Sequence, residues 1–218
     1  MPCFDGGMLE KLPDGIGHAL INQRAGMENV VYNMLYRARP SVRLDLWSPA
    51  FVFNARLPVA CTADGAGLSP PLEWDRIPER SESMVMIVED ADSPTPHPLV
   101  HAIVSGLPGT PGSLVEGALD SPHHRGVGLA TGQNSFLGHA WLPPDPPPGH
   151  GEHRYVFQLF ALRSGTQAAG VGGRGALIEL VLERAIGVGC LIGTYERPVR
   201  RTADADSDPV GLVAATAS

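Results

Sequence analysis

Hydrophobic and polar positions divide this chain into a few clear elements. Met84 to Val88 is a continuous apolar run that ends in Glu89-Asp90-Ala91-Asp92, and a second apolar run opens with His101. Blocks of this kind, rather than alternation, predict strands buried on both faces. Pro94, Pro96 and Pro98 lie between them and exclude helix and ladder bonding, so the connection is a rigid, irregular turn. His153 to Leu162 is the clearest strand. Tyr155, Phe157, Leu159 and Ala161 share one face and Val156, Gln158, Phe160 and Leu162 the other, both largely apolar. Shorter strand-like pieces fall at Val42 to Trp47, Phe51 to Phe53, Leu57 to Ala60, Leu72 to Trp74 and Cys190 to Tyr195.

Helical spacing appears twice. From His18 to Arg39, Leu20, Met27, Val31, Met34 and Ala38 recur at helical steps, predicting one amphipathic helix that ends before Pro40. Its apolar face either packs on the core or pairs two copies as a homodimer. Ala176 to Gly187 is the second, with Leu177, Leu180, Val181 and Ala185 on one stripe. The remainder is loop. Residues 1–16 read as a polar arm, 108–152 as a long irregular stretch ending in the proline cluster 143–148, and 202–218 as a disordered tail. The expected organisation is an N-terminal arm and helix over 1–41, one β-rich domain over 42–201, and the tail.

Composition narrows the function classes. The chain has 218 residues, 43% of them apolar and 18% charged, enough for one full core. With 26 Gly and 21 Pro it favours strands joined by long connections. A formal charge of −7 gives no basic field for nucleic acid. The three cysteines, Cys3, Cys61 and Cys190, are scattered without metal-like spacing. No leader pattern and no uninterrupted apolar span is evident, so the expectation is a cytoplasmic protein without a transmembrane segment.

The candidate chemistry gathers at strand ends. Asp90 and Asp92 close one buried strand, while His101 and His153 open two others, with Tyr155 two residues further on. Neighbouring strands with matched ends bring two carboxylates, two imidazoles and a phenol to one rim. There His and Tyr can donate to an anion, and a carboxylate can orient an imidazole. Arg154 alternates away from these and reads as a structural ion-pair partner. The same ligand types suit a metal, but the spacing is not that of a metal motif, and no serine-hydrolase, Walker or dinucleotide fingerprint is present.

These residues resemble the signatures of the phosphatidylethanolamine-binding protein family, in its bacterial Raf-kinase-inhibitor-like branch. Asp90-Ala-Asp92-Ser-Pro94 followed by His101 matches the first signature, and Gly149-His-Gly-Glu-His153-Arg-Tyr155 with the strand behind it matches the second. Leu68 to Trp74, Gly132 to Phe136 and Gly193 to Arg197 also fit, so the likeness covers roughly 45–197. The resemblance implies a mainly β fold, with a large central antiparallel sheet packed on a smaller one and a C-terminal helix. It implies a non-enzymatic protein without cofactor, whose pocket takes a small anionic or phosphorylated ligand through Asp90, Asp92, Ser93, His101, His153 and Tyr155. Two alternatives stay open: inhibition of a protein partner, such as a kinase or protease, through the pocket rim and loop 108–152, and a hydrolase or metal site in the Asp/His cluster. This chain departs from the family at Leu142-Pro-Pro-Asp145 and at Glu152, which put negative charge near the expected anion site.

Overall fold

The computed structural model describes residues 14–38, 41–120, 129–166, 168 and 170–197. Its frame is four long antiparallel strands. They are β5 (Ser81–Asp90), β6 (Leu99–Pro108), β9 (His153–Arg163) and β10 (Ala185–Tyr195). They run β10-β9-β5-β6 across a seven-stranded sheet. Short strands complete it: β1 (Val42–Arg43) and β3 (Ala55–Arg56) pair parallel with β10, and β8 (Ala130–Thr131) pairs with β6. A three-stranded sheet, β2 (Asp45–Trp47), β4 (Leu72–Asp75) and β7 (Gly112–Leu114), lies over one face. Helices α2 (Val31–Ala38) and α3 (Arg174–Arg184) cover the other.

Two-sided cover explains the unbroken apolar runs. Met84, Met86 and Val88 of β5, with Phe157 and Leu159 of β9, pack toward the small sheet on Leu46, Leu72 and Trp74. Val85, Ile87, Phe160 and Leu162 pack toward the helices on Val31, Leu35, Leu177 and Val181. Close approach of the layers needs glycine in β10. A Cβ on Gly193 would sit 2.4 Å from Leu57, and one on Gly187 2.9 Å from Leu44.

The helix face also buries a carboxylate. Glu89 is fully buried and accepts from Arg174 Nε at 2.6 Å, Gln158 Nε2 at 2.7 Å and the Val31 N–H at 3.0 Å. Gln158 Oε1 accepts the next N–H, of Tyr32, at 2.6 Å. Side chains of the sheet thus satisfy the free N–H groups at the start of α2, and Glu89 meets the positive end of its dipole.

Several expected elements differ. The single helix over 18–39 is instead α1 (Asp14–Leu20), an extended link, a 3-10 turn (Met27–Asn29) and α2. Gly26 has φ 93°, and the N–H groups of Ala25 and Gly26 donate to Ser93 O and Ala91 O rather than to a helical turn. Residues 14–16 of the expected arm belong to α1, and the tail 202–218 lies outside the described residues. Phe51 and Val52 are irregular and lead into a turn at Phe53, and 57–60 leads into a 3-10 turn (Val59–Cys61). The last strand is eleven residues long and starts at Ala185, where the helix was expected to continue. Its ladder with β9 takes the backbone that helical spacing alone would have assigned to α3.

Candidate functional site

Strand register brings four of the expected residues together. Asp90, at the end of β5, stands opposite Tyr155 of β9, two residues from His153. His101 arrives by a bulge in β6. Glu89 pairs with Val100 and Val88 with Ala102, leaving His101 as the additional residue. A bulge of this kind re-aims its side chain, and His101 joins Ala102 on the small-sheet side. There its ring meets the edge of Tyr155 at 5.1 Å between centroids and lies 5.9 Å from Trp141.

A hydrogen-bonded chain runs behind these rings. Asp90 Oδ2 accepts from His153 Nδ1 at 2.7 Å, and His153 Nε2 lies 2.6 Å from His150 Nδ1. His150 Nε2 in turn donates to the carbonyl oxygens of Leu20 at 2.8 Å and Gln23 at 3.1 Å. Burial, then the neighbouring His153, hold the His150 value below that of an ordinary histidine. The result is a buried, hydrogen-bonded relay from Asp90 through two imidazole rings to the backbone of the N-terminal segment. Sequence reasoning missed His150; its signal was the three-residue step to His153 inside a glycine-flanked turn.

Asp92 and Ser93 are engaged by partners of their own. Asp92 is buried and engaged by Arg154 Nε at 2.7 Å and Nη2 at 2.7 Å, with Arg24 Nη1 at 2.9 Å. Burial acts to raise its carboxyl, but hydrogen bonds from Arg154 and Arg24 outweigh that and hold it at about 2. The ion pair expected for Arg154 is this one. Ser93 Oγ donates to Asp90 O at 3.1 Å and accepts from Leu99 N at 3.2 Å, fastening the proline turn.

The proline cluster closes the strand ends. Leu142 N–H donates to His101 O at 2.8 Å, while His101 Nδ1 donates to Leu142 O at 2.6 Å. Pro144 and Pro146 to Pro148 are buried. Asp145, the charge that raised the question of anion affinity, is ion-paired with Arg197, whose other face holds Asp64 at 2.8 Å. Over this loop lies the segment from α1 to Gly26. Arg24 donates to Glu152 O at 2.8 Å and His150 O at 3.2 Å.

Two polar atoms in the cluster are buried with no hydrogen-bond partner among the described residues: His101 Nε2 and Tyr155 Oη. Burial, as the largest effect, pushes the Tyr155 hydroxyl well above the ordinary phenol value and keeps His101 below the ordinary imidazole value. Tyr155 is thus a phenol and His101 a neutral ring. An open groove of about 540 Å³ lies apart from them, lined by Thr95 to Val100, Gln133 to Leu137, Gly173 and Arg174. Among the described residues no three His, Cys, Asp or Glu side chains stand in metal-holding geometry, and no helix is long and apolar enough to cross a membrane. His123 and His124 lie outside the described residues. Burial raises the free thiols of Cys61 and Cys190 to about 11 and about 12.

Comparison with known proteins agrees with this architecture. The profile of the family described as phosphatidylethanolamine-binding protein matches residues 47–196. A UPF0098 protein of Aquifex aeolicus is 30% identical over 155 residues, 71% of this chain and 89% of the relative. One from Mycobacterium tuberculosis is 35% identical over 155 residues, 70% of each chain. Among solved structures, Escherichia coli YbcL, described as a member of the mammalian PEBP family, superposes with a TM-score of 0.64. It is 25% identical, over 71% of this chain and 98% of that one. The PEBP homologue CT736 of Chlamydia trachomatis gives 0.60 at 30% identity, over 72% and 99%.

Proposed function

The chain belongs to the phosphatidylethanolamine-binding protein family, and from that premise we propose that it is a non-enzymatic binding protein whose pocket takes a small anionic, phosphate-like ligand. The observation that carries this reading is that His101 Nε2 and Tyr155 Oη are both buried and unpartnered, on rings whose centroids lie 5.1 Å apart. Leaving such groups unmade is costly, roughly 1–3 kcal/mol each. A ligand offering oxygen and hydroxyl to the two atoms removes that cost. His153, one ring away at 6.5 Å from Tyr155, is held in place by Asp90 through Nδ1, so the pocket would bind an anion by short hydrogen bonds.

Calorimetric titration with inorganic phosphate tests this. Saturable binding is expected, weakened roughly tenfold or more by Tyr155→Phe, which removes one hydrogen bond to a charged group worth about 1.5–3 kcal/mol. Equal affinity in Tyr155→Phe and His101→Ala would remove the pocket from the account.

A second reading has its own observation. Phe136 and Leu137 are 52% and 74% exposed on the rim of the open groove. Exposed large apolar side chains beside a concavity suit a protein partner, which this chain would inhibit or tether through the pocket rim and loop 108–152. Phe136→Asp should abolish such an association and leave phosphate binding intact; retained association would exclude this surface.

A further inference from the structure

The hydrogen-bond roles around His101 go further than "anion". The Leu142 carbonyl oxygen only accepts, so Nδ1 of His101 carries the hydrogen of their 2.6 Å bond. The ring is 3% exposed, and its Nε2 is buried without a partner. A neutral ring in this tautomer presents a lone pair at Nε2, not an N–H. The Tyr155 ring lies 5.1 Å from that of His101, and its hydroxyl retains its proton to donate. These two buried atoms therefore offer one acceptor and one donor, and a bare oxyanion can use only the donor.

The surrounding charges do not change that assignment. Asp90 from β5 and Asp145 from the proline loop favour a second proton on His101, and His153 from β9 disfavours it; burial exceeds each of them. Asp90 is engaged by His153, and Asp145 by Arg197. Tyr155, whose ring stands nearly perpendicular to that of His101, stays neutral.

We propose, building on the anion-pocket reading above, that His101 acts as a hydrogen-bond acceptor and selects an oxyanion that still carries a proton. Hydrogen phosphate or a singly ionised phosphate monoester fits: its P–O–H donates to His101 Nε2, and a second, charged oxygen accepts from the Tyr155 hydroxyl. Sulfate and phosphodiesters carry no such hydrogen. They bind only if His101 first takes a proton from solvent, so that Nε2–H can donate to them. His101 is in this sense the specificity-determining residue, and the preferred ligand is a protonated phosphate rather than the diester of a phospholipid head group.

The experiment is a set of calorimetric titrations of the full chain near pH 7.5, with inorganic phosphate, sulfate and dimethyl phosphate. Each is run in two buffers of different ionisation enthalpy, which reads protons exchanged on binding. Phosphate should bind with no net uptake. Sulfate and dimethyl phosphate should bind at least tenfold more weakly, taking up about one proton each and losing about tenfold in affinity per pH unit. In His101→Gln, whose amide both donates and accepts, the ratio between phosphate and sulfate should collapse toward one. Sulfate binding as tightly as phosphate without proton uptake would overturn the selection while leaving an anion pocket in place. Binding of none of the three anions would overturn the pocket reading itself, and the selection with it.

Discussion

At the scale of single residues, charge at this site is almost wholly spoken for. Asp92 faces Arg154 and Arg24, and its value of about 2 marks a stabilising contact. A carboxyl held below its unfolded value stabilises fully above the unfolded value, near pH 4, and loses that contribution as pH falls toward 2. With about 1.4 kcal/mol per unit, and both guanidinium groups partly exposed, the contribution is about 2 kcal/mol. Asp92→Asn should therefore lose about 2 kcal/mol in urea unfolding at pH 5 and only a small part of that near pH 2; a constant deficit at both would contradict the ion-pair account. Residue identities made Asp90, His101, His153 and Tyr155 legible as a cluster, because strand ends and alternation place them there. The role of Asp92 was not legible, since its partner Arg24 lies 68 positions earlier in the chain. Nor was the facing of His101, because a bulge is a property of register between strands and not of one strand's pattern.

At the scale of elements, the segment from α1 to Gly26 behaves as a strap across the proline loop. Gly17 packs so closely that a Cβ would lie 1.9 Å from Pro148 O, against rigid backbone. Gly17→Val should lift the strap and speed amide exchange at Ala25 and Gly26, whose N–H groups bond Ser93 O and Ala91 O. Unchanged exchange at those two amides would show that the contact is not holding the segment. Helical spacing read this region as one helix; of the expected stripe α2 buries Val31, while Met34 is half-buried, Ala38 is exposed and Leu35 is buried in their place. The break before it was hidden because tertiary partners for two amides and a left-handed glycine override local periodicity. In β10 the apolar residues resemble both a strand and a helix continuation, and the deciding contacts, glycines against Leu44, Leu46 and Leu57, belong to distant segments.

At the scale of the whole molecule, the layers are joined through one buried carboxylate. Glu89 links β5 to Gln158 of β9, to the start of α2 and to Arg174 of α3. Arg174→Ala leaves that carboxylate uncompensated and should cost about 3–5 kcal/mol in denaturant unfolding, with little effect if the pair were superficial. The double-sided sheet was legible from the continuous apolar runs, and the family from its two spaced signatures. What the closed strand ends receive is read most directly from a long-range proton–nitrogen spectrum of the histidine rings during phosphate titration. His101 Nε2 should shift saturably as it gains a hydrogen bond, while Nδ1, bound to Leu142 throughout, moves little. Tyr155→Phe should weaken the same transition. Phosphate-saturated protein with both His101 nitrogens unmoved would contradict the pocket reading.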